Sequence, residues 1–416
     1  MRTGQPNDGL TGLRPVEKHP PIGVMPNAAH QDALGFMKAD NFHLAIVEFD
    51  DQGRCYDRMQ LDKVSDAIEQ MREAGRDAIV LVFVHGWKHD ARSDDDNLSS
   101  FRTILDRTAL YERDRAGSGK ARDVYGIFVG WRGLSAYGLG VENLTFGDRQ
   151  DAAHRVASGS VRELFGRLRH YRNSRVELGG TALLAITGHS FGGMIVFWAL
   201  AQSLIESASD PDGGIVPRFA DLVLLANPAM EGARYLPIYD LVTGDPFKSG
   251  ASDQLPVFVC AQAQNDDAVG TWFPIANTAN GLKEASIGQL EKRCVTHGIG
   301  FIDEFRTHRI AGPAGPDPFV LDPPQMMQKD PYWLVSASSQ VIDGHGGIWL
   351  EPFMCFLAAI LFQHVSQSAL RTPGAGPKQS LSTALSARLT KSRKARARTV
   401  AAFARSLRQK PFRAQS

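Results

Sequence analysis

The stretch Thr181–Gly193, TALLAITGHSFGG, decides the architecture. Its first seven residues form a short apolar run of the kind expected of a strand buried on both faces. The next six, Gly188-His189-Ser190-Phe191-Gly192-Gly193, carry the pattern G-x-S-x-G. An apolar segment with helical character, Phe191–Leu204, follows at once. A serine at so tight a strand-to-helix turn is held with strained backbone angles that lift its hydroxyl above the sheet edge. Its neighbours must be glycine so that strand and helix can close without Cβ clashes. The bare pattern arises by chance, and a glycine-rich turn joining two core elements would also satisfy it. The strand before it, the third glycine and the helix after it make Ser190 the candidate nucleophile.

Working outward, strand-like and helix-like segments alternate. His43–Phe49, Ala78–Val84, Val124–Val129, Ala220–Ala226, Pro256–Ala261 and Tyr332–Ser336 read as strands. Leu61–Ala74, Asp95–Tyr111, Arg149–Tyr171 and Ile348–Gln363 read as helices, the first from apolar residues at Leu61, Val64, Ile68 and Met71. Alternation of this kind implies βαβ units: an α/β fold with a mostly parallel central sheet and helices on both faces. Residues 1–40, rich in Pro, Gly and Asn, read as an irregular N-terminal arm. Residues 41–370 hold the catalytic domain, within which 267–331 is long and mixed, a candidate cap. After the Thr372–Gly376 break, 371–416 read as a basic, partly helical or disordered tail.

Such a plan calls for a backbone N–H from the loop after an earlier buried strand. Ala78–Val84 is followed by His85-Gly86-Trp87-Lys88-His89-Asp90. The expected oxyanion donors are the backbone amides of Trp87 and Phe191, each worth about 3 kcal/mol of transition-state stabilisation. Gly86, Gly188 and Gly192 allow the close turns, and His85 is read as a support of the loop. His89 and Asp90 have no further residue at ligand spacing, so no metal is expected.

A serine hydroxyl needs a base to remove its proton, and the usual chain order is Ser, then acid, then His. Four histidines follow Ser190: His297, His308, His345 and His364. His345 is preferred, because glycines flank it in VIDGHGGI between the last strand and the final apolar helix. His364 falls inside a helix, and His297 and His308 lie in the mixed segment. For the acid, Asp266 is chosen after strand PVFVCA, with Asp267 and Glu231 as alternatives. Asp343 reads as a turn residue. The acid would hold the imidazole tautomer and stabilise the imidazolium.

FVHGWKHDA, GHSFGG, LLANPAME, QNDDAVGTWFP and VIDGHGGIW together resemble a family of bacterial α/β-hydrolases grouped with serine esterases and lipases. The likeness spans roughly residues 40–365 and five loops in the right order. It implies the α/β-hydrolase fold and a Ser–Asp–His triad, and adds weight to Asp266. It says little about substrate.

The chain has 416 residues, 43% hydrophobic and 22% charged, ordinary for a globular protein with a sizeable core. Its net charge of +1 conceals an asymmetry: from Arg371 onward there are twelve Lys or Arg and no acid. Subtracting those twelve from 46 basic residues leaves 34 against 45 acidic ones, a net of −11 for the rest. Four scattered cysteines without a CxxC pair suit a reducing compartment. MRTGQPNDGLTG lacks the apolar core of a signal peptide. A cytoplasmic protein is expected. The leading function is hydrolysis of a small-molecule or lipid ester through an acyl-enzyme, with no cofactor. A phospholipase or lipase is the alternative, since a basic segment with leucines at 381, 385 and 389 suits an anionic membrane surface. Nucleic acid is a poor partner for a tail with so few aromatics. A hydrolase-fold protein that binds without catalysis is the remaining reading.

Overall fold

Seven consecutive side chains, Ala78–Val84, are all buried, which requires strand neighbours on both edges and cover on both faces. The computed structural model describes residues 30–31, 37–38, 41–86, 89, 91, 95–131, 146–211, 215–244, 254–272, 288–323 and 331–369. The chain divides into two compact units, with the boundary between Ala201 and Gln202.

The first unit holds β1 (His30–Gln31), β2 (Met37–Lys38), β3 (His43–Phe49), β4 (Ala78–Val84), β5 (Asp123–Trp131) and β6 (Leu183–His189). Their spatial order is β1-β2-β3-β5-β4-β6. β3, β5, β4 and β6 run parallel, so β4 is flanked on both sides as its composition demands. β1 and β2 lie within the arm expected to be irregular; they pair antiparallel with each other, and β2 with β3.

Around these strands lie α1 (Arg58–Glu73), α2 (Asp96–Ala116), α3 (Phe146–Ser158) and α4 (Val161–Glu177), and α5 (Phe191–Ser209) begins here. Asp57 and Asp95 cap α1 and α2 by accepting from the first-turn N–H groups of Met59, Asn97 and Leu98, a role short carboxylates fill well. The single helix expected over Arg149–Tyr171 is two. The break falls at Gly159-Ser160, where Ser160 N donates to Gly53 O at 2.7 Å. A Cβ on Gly159 would lie 2.1 Å from that same oxygen. A backbone contact from the loop after β3 therefore ends α3.

At the far end of α2, Glu112 is fully buried beneath Arg115 and Arg122, with contacts of 2.6 and 2.9 Å. Arg122 Nη1 also donates to Thr181 O at 2.6 Å, anchoring the entry to β6. Burial would raise the Glu112 carboxyl, but hydrogen bonds from the two guanidinium groups outweigh it and hold the group at about 2.

The second unit holds β7 (Leu222–Ala226), β8 (Phe258–Ala263), β9 (His308–Ala311), β10 (Val320–Asp322) and β11 (Tyr332–Ala337). Their order is β7-β8-β11-β9-β10. All neighbours are parallel except the β9–β10 pair. Thus part of 267–331, the candidate cap, extends the sheet. Helices α6 (Leu236–Val242), α7 (Gly288–Thr296) and α8 (Glu351–Ser368) accompany these strands. Pro352 sits in the first turn of α8, where its missing N–H has no intrahelical acceptor to lose. The architecture is α/β with mostly parallel strands, consistent with an α/β-hydrolase-like fold.

Buried His308 lies against Trp333 with ring centroids 4.1 Å apart and the planes tilted by 32°. Burial pushes its imidazole from 6.5 down to about 4, against a weaker opposing pull from Asp322. The unfolded chain therefore takes up this proton first as pH falls. The stability held by the neutral ring is complete above pH 6.5 and lost by pH 4, about 3 kcal/mol in all. In His308→Phe, urea midpoints measured from pH 7 to 4 should decline less steeply than the parent's by that amount. Parallel declines would refute the assignment.

Among the described residues one helix, α5, is long and apolar enough to cross a membrane, and over half of its most apolar stretch is buried. The four cysteines are buried and none is in a disulfide. The tail 371–416, with the membrane contact expected of it, lies outside the described residues.

Candidate active site

Ser190 is the single residue between β6 and α5, with a φ of 56°. A serine rarely adopts this left-handed conformation, which persists only where surrounding structure enforces it. Here the enforcement comes from backbone packing. A Cβ on Gly188 would lie 2.5 Å from Gly192 O, and one on Gly192 would lie 2.1 Å from Val84 O and 2.5 Å from His85 O. Strand, turn, helix and the loop after β4 thus touch through main chain alone.

Gly86 brings that loop onto the Ser190 turn: its Cβ position is 2.8 Å from Ser190 Cβ. Trp87, the expected donor, lies outside the described residues, as do Lys88 and Asp90. Phe191 opens α5, so its N–H lies outside the helix's own hydrogen-bond ladder. Met194 N donates to Ser190 O at 3.1 Å, closing the first turn.

His85, fully buried, is engaged at both ring nitrogens. Nε2 accepts from Trp131 N at 3.1 Å, which leaves Nδ1 as the donor to Gly86 O at 2.9 Å. The Trp131 indole N–H returns to His85 O at 2.8 Å. Rings of Phe128 and Trp131 stack near the imidazole. The ring braces the loop through β5. His89 contacts Asp95 at 3.0 Å, the residue that caps α2. Among the described residues no group of three His, Cys, Asp or Glu side chains is placed to hold a metal ion.

In the second unit His345 lies on the loop after β11, and its Nδ1 is 2.8 Å from Asp266 Oδ2. Asp266 is almost wholly buried in the turn after β8. Its Oδ2 also accepts from Gln262 Nε2 at 2.8 Å, and its Oδ1 from Val269 N at 3.1 Å. Buried carboxylates need such donors to offset lost hydration. Neither alternative acid has this arrangement. Asp267 is exposed, and Glu231 pairs with Arg234 at 2.8 Å. The other three histidines bond elsewhere: His297 with Thr296, His308 with Thr307 and His364 with Pro256 O. Asp343 is exposed and accepts from Asn265.

The structure thus brings Asp266 and His345 together, and sets Gly86, Gly188 and Gly192 around Ser190. The nucleophile candidate belongs to the first unit and the pair to the second. Sequence reading passed over Asn227, Gln262 and Asn265, whose amides join the loops of the second unit. A polar residue ending an apolar strand, as Asn227 ends LVLLA, was the available signal.

No family model matches the chain, and a comparison with curated proteins finds no match. Among solved structures, the chain is similar to TT1662 from Thermus thermophilus at 13% identity. The match covers 70% of this chain and 90% of that one with a TM-score of 0.23, a likeness too slight to bear on function.

Proposed function

We propose that this chain is a serine hydrolase that cleaves carboxylic esters through an acyl-enzyme. Ser190 Oγ attacks the ester carbonyl while His345 Nε2 accepts its proton and passes it to the departing alcohol. Water then attacks the acyl-serine by the reverse use of the same base. With Nδ1–H on the Asp266 carboxylate, Nε2 is the nitrogen with the lone pair. The Asp266 charge stabilises the imidazolium that forms. The amides of Phe191 and Trp87 would receive the oxyanion. These steps use side chains, backbone amides and water throughout.

The observation that carries this reading is the φ of 56° at Ser190 on a turn packed backbone against backbone. Strain of this kind, on a serine between a parallel strand and a helix, serves no packing need that glycine would not meet better. The pairing of His345 with the buried Asp266 carboxylate supports it independently.

Labelling with a fluorophosphonate probe tests the proposal. The parent should take up one equivalent and Ser190→Ala none. Equal labelling of the two removes Ser190 as the nucleophile. A p-nitrophenyl ester series of increasing acyl length then reads the substrate preference.

A further inference from the structure

The base loop is tied down from two strand ends. Asn227 follows β7 directly, is fully buried and has a φ of 44°. Its Nδ2 donates to Gly344 O at 3.1 Å and to His345 O at 2.8 Å. Its Oδ1 accepts from Ala263 N at 2.8 Å at the end of β8. Asn265, in the turn after β8, works on the other side of the same loop. Its Nδ2 donates to Asp343 Oδ1 at 2.8 Å and its Oδ1 accepts from Gly344 N at 3.0 Å.

Gly344 is where this loop would otherwise be loosest. It has a φ of 63°, and glycine has the most backbone freedom to lose. Both of its backbone polar atoms are taken, the N–H by Asn265 and the carbonyl by Asn227. His345 is the next residue, and its own carbonyl is taken too. With the backbone held on both sides of its Cα, the imidazole has only its side-chain torsions left, and Asp266 fixes those.

We propose that Asn227 and Asn265 are positioning residues: a two-sided clamp on Asp343–His345 that keeps His345 Nδ1 on the Asp266 carboxylate. The inference rests on the hydrolase reading for its catalytic consequence. A merely structural role, satisfying buried polar groups at the strand ends, is the competing account.

Asn227→Gly is the cleaner variant, because glycine accepts the positive φ and only the side-chain bonds are lost. Asn265 is exposed, so Asn265→Ala carries the test if the first variant fails to fold. Two readouts are needed: kcat and KM on p-nitrophenyl acetate, and the low-field proton resonance of His345 Nδ1–H, assigned by its loss in His345→Gln. The clamp predicts kcat lower by roughly 100-fold in Asn227→Gly and about tenfold in Asn265→Ala, with KM within about twofold. It also predicts that the resonance broadens in both. Unchanged kcat and an unchanged resonance in folded variants overturn the proposal, even where the melting temperature drops. If the parent takes up no fluorophosphonate, the hydrolase reading fails, and the resonance still decides whether the asparagines hold His345.

Discussion

Asp266→Asn should lower kcat on p-nitrophenyl esters by about ten-thousandfold while leaving a folded protein. The carboxylate receives three donors, Gln262 and His345 on one oxygen and Val269 N on the other. An amide cannot accept at both ends. In one orientation its NH2 faces the Val269 N–H, and in the other it faces Gln262 and the imidazole, driving the ring to the wrong tautomer. In both, the charge that steadies the imidazolium is gone. The local mismatch costs about 1–3 kcal/mol of stability, which a domain of this size tolerates. Asp267→Asn is the control: the side chain is exposed, and kcat should stay within about twofold of the parent. Steady-state kinetics beside a thermal scan make the comparison. Equal kcat in Asp266→Asn and the parent would remove this carboxylate from the mechanism.

The largest effect on stability is expected at Glu112→Ala. Removing the carboxylate leaves Arg122, only 6% exposed at its side chain, without its buried counter-charge. Breaking such a pair on one side costs about 3–5 kcal/mol, or on the order of 10 °C in melting temperature. The pH profile should change with it. The folded carboxyl is held at about 2 against an ordinary 4.5. Its contribution is complete above pH 4.5 and fades as pH falls toward 2. That acid limb should be missing from Glu112→Ala. A variant that melts within a degree of the parent would show that Arg122 finds equal company elsewhere.

Two strands were legible in the sequence to the residue: His43–Phe49 and Ala78–Val84 are observed with those bounds. The Ser190 turn was legible because its demands are local, a strand and three glycines in thirteen residues with a helix running on from them. β9 and β10 were not, being four and three residues long, too short for alternation to register as a period. Asp266 and Asp267 are adjacent and chemically equal, so only the turn after β8 distinguishes the buried one from the exposed one. Asn265 left no local trace and Asn227 only that of a polar residue ending an apolar strand, since each acts on a loop far along the chain. The split of α3 from α4 escaped for the same reason: its cause is the carbonyl of Gly53.

That corner has a consequence for how the molecule tolerates change. A methyl on Gly159 would strike Gly53 O, and a methyl on Gly53, whose φ is 76°, would strike Arg155 O, each at 2.1 Å. Both obstacles are main-chain oxygens, which every amino acid carries alike. Trimming a neighbouring side chain cannot make room, so there is no second-site suppressor to be found nearby. Two positions remote in the chain thus behave as one genetic locus, whose only permitted state is the one observed.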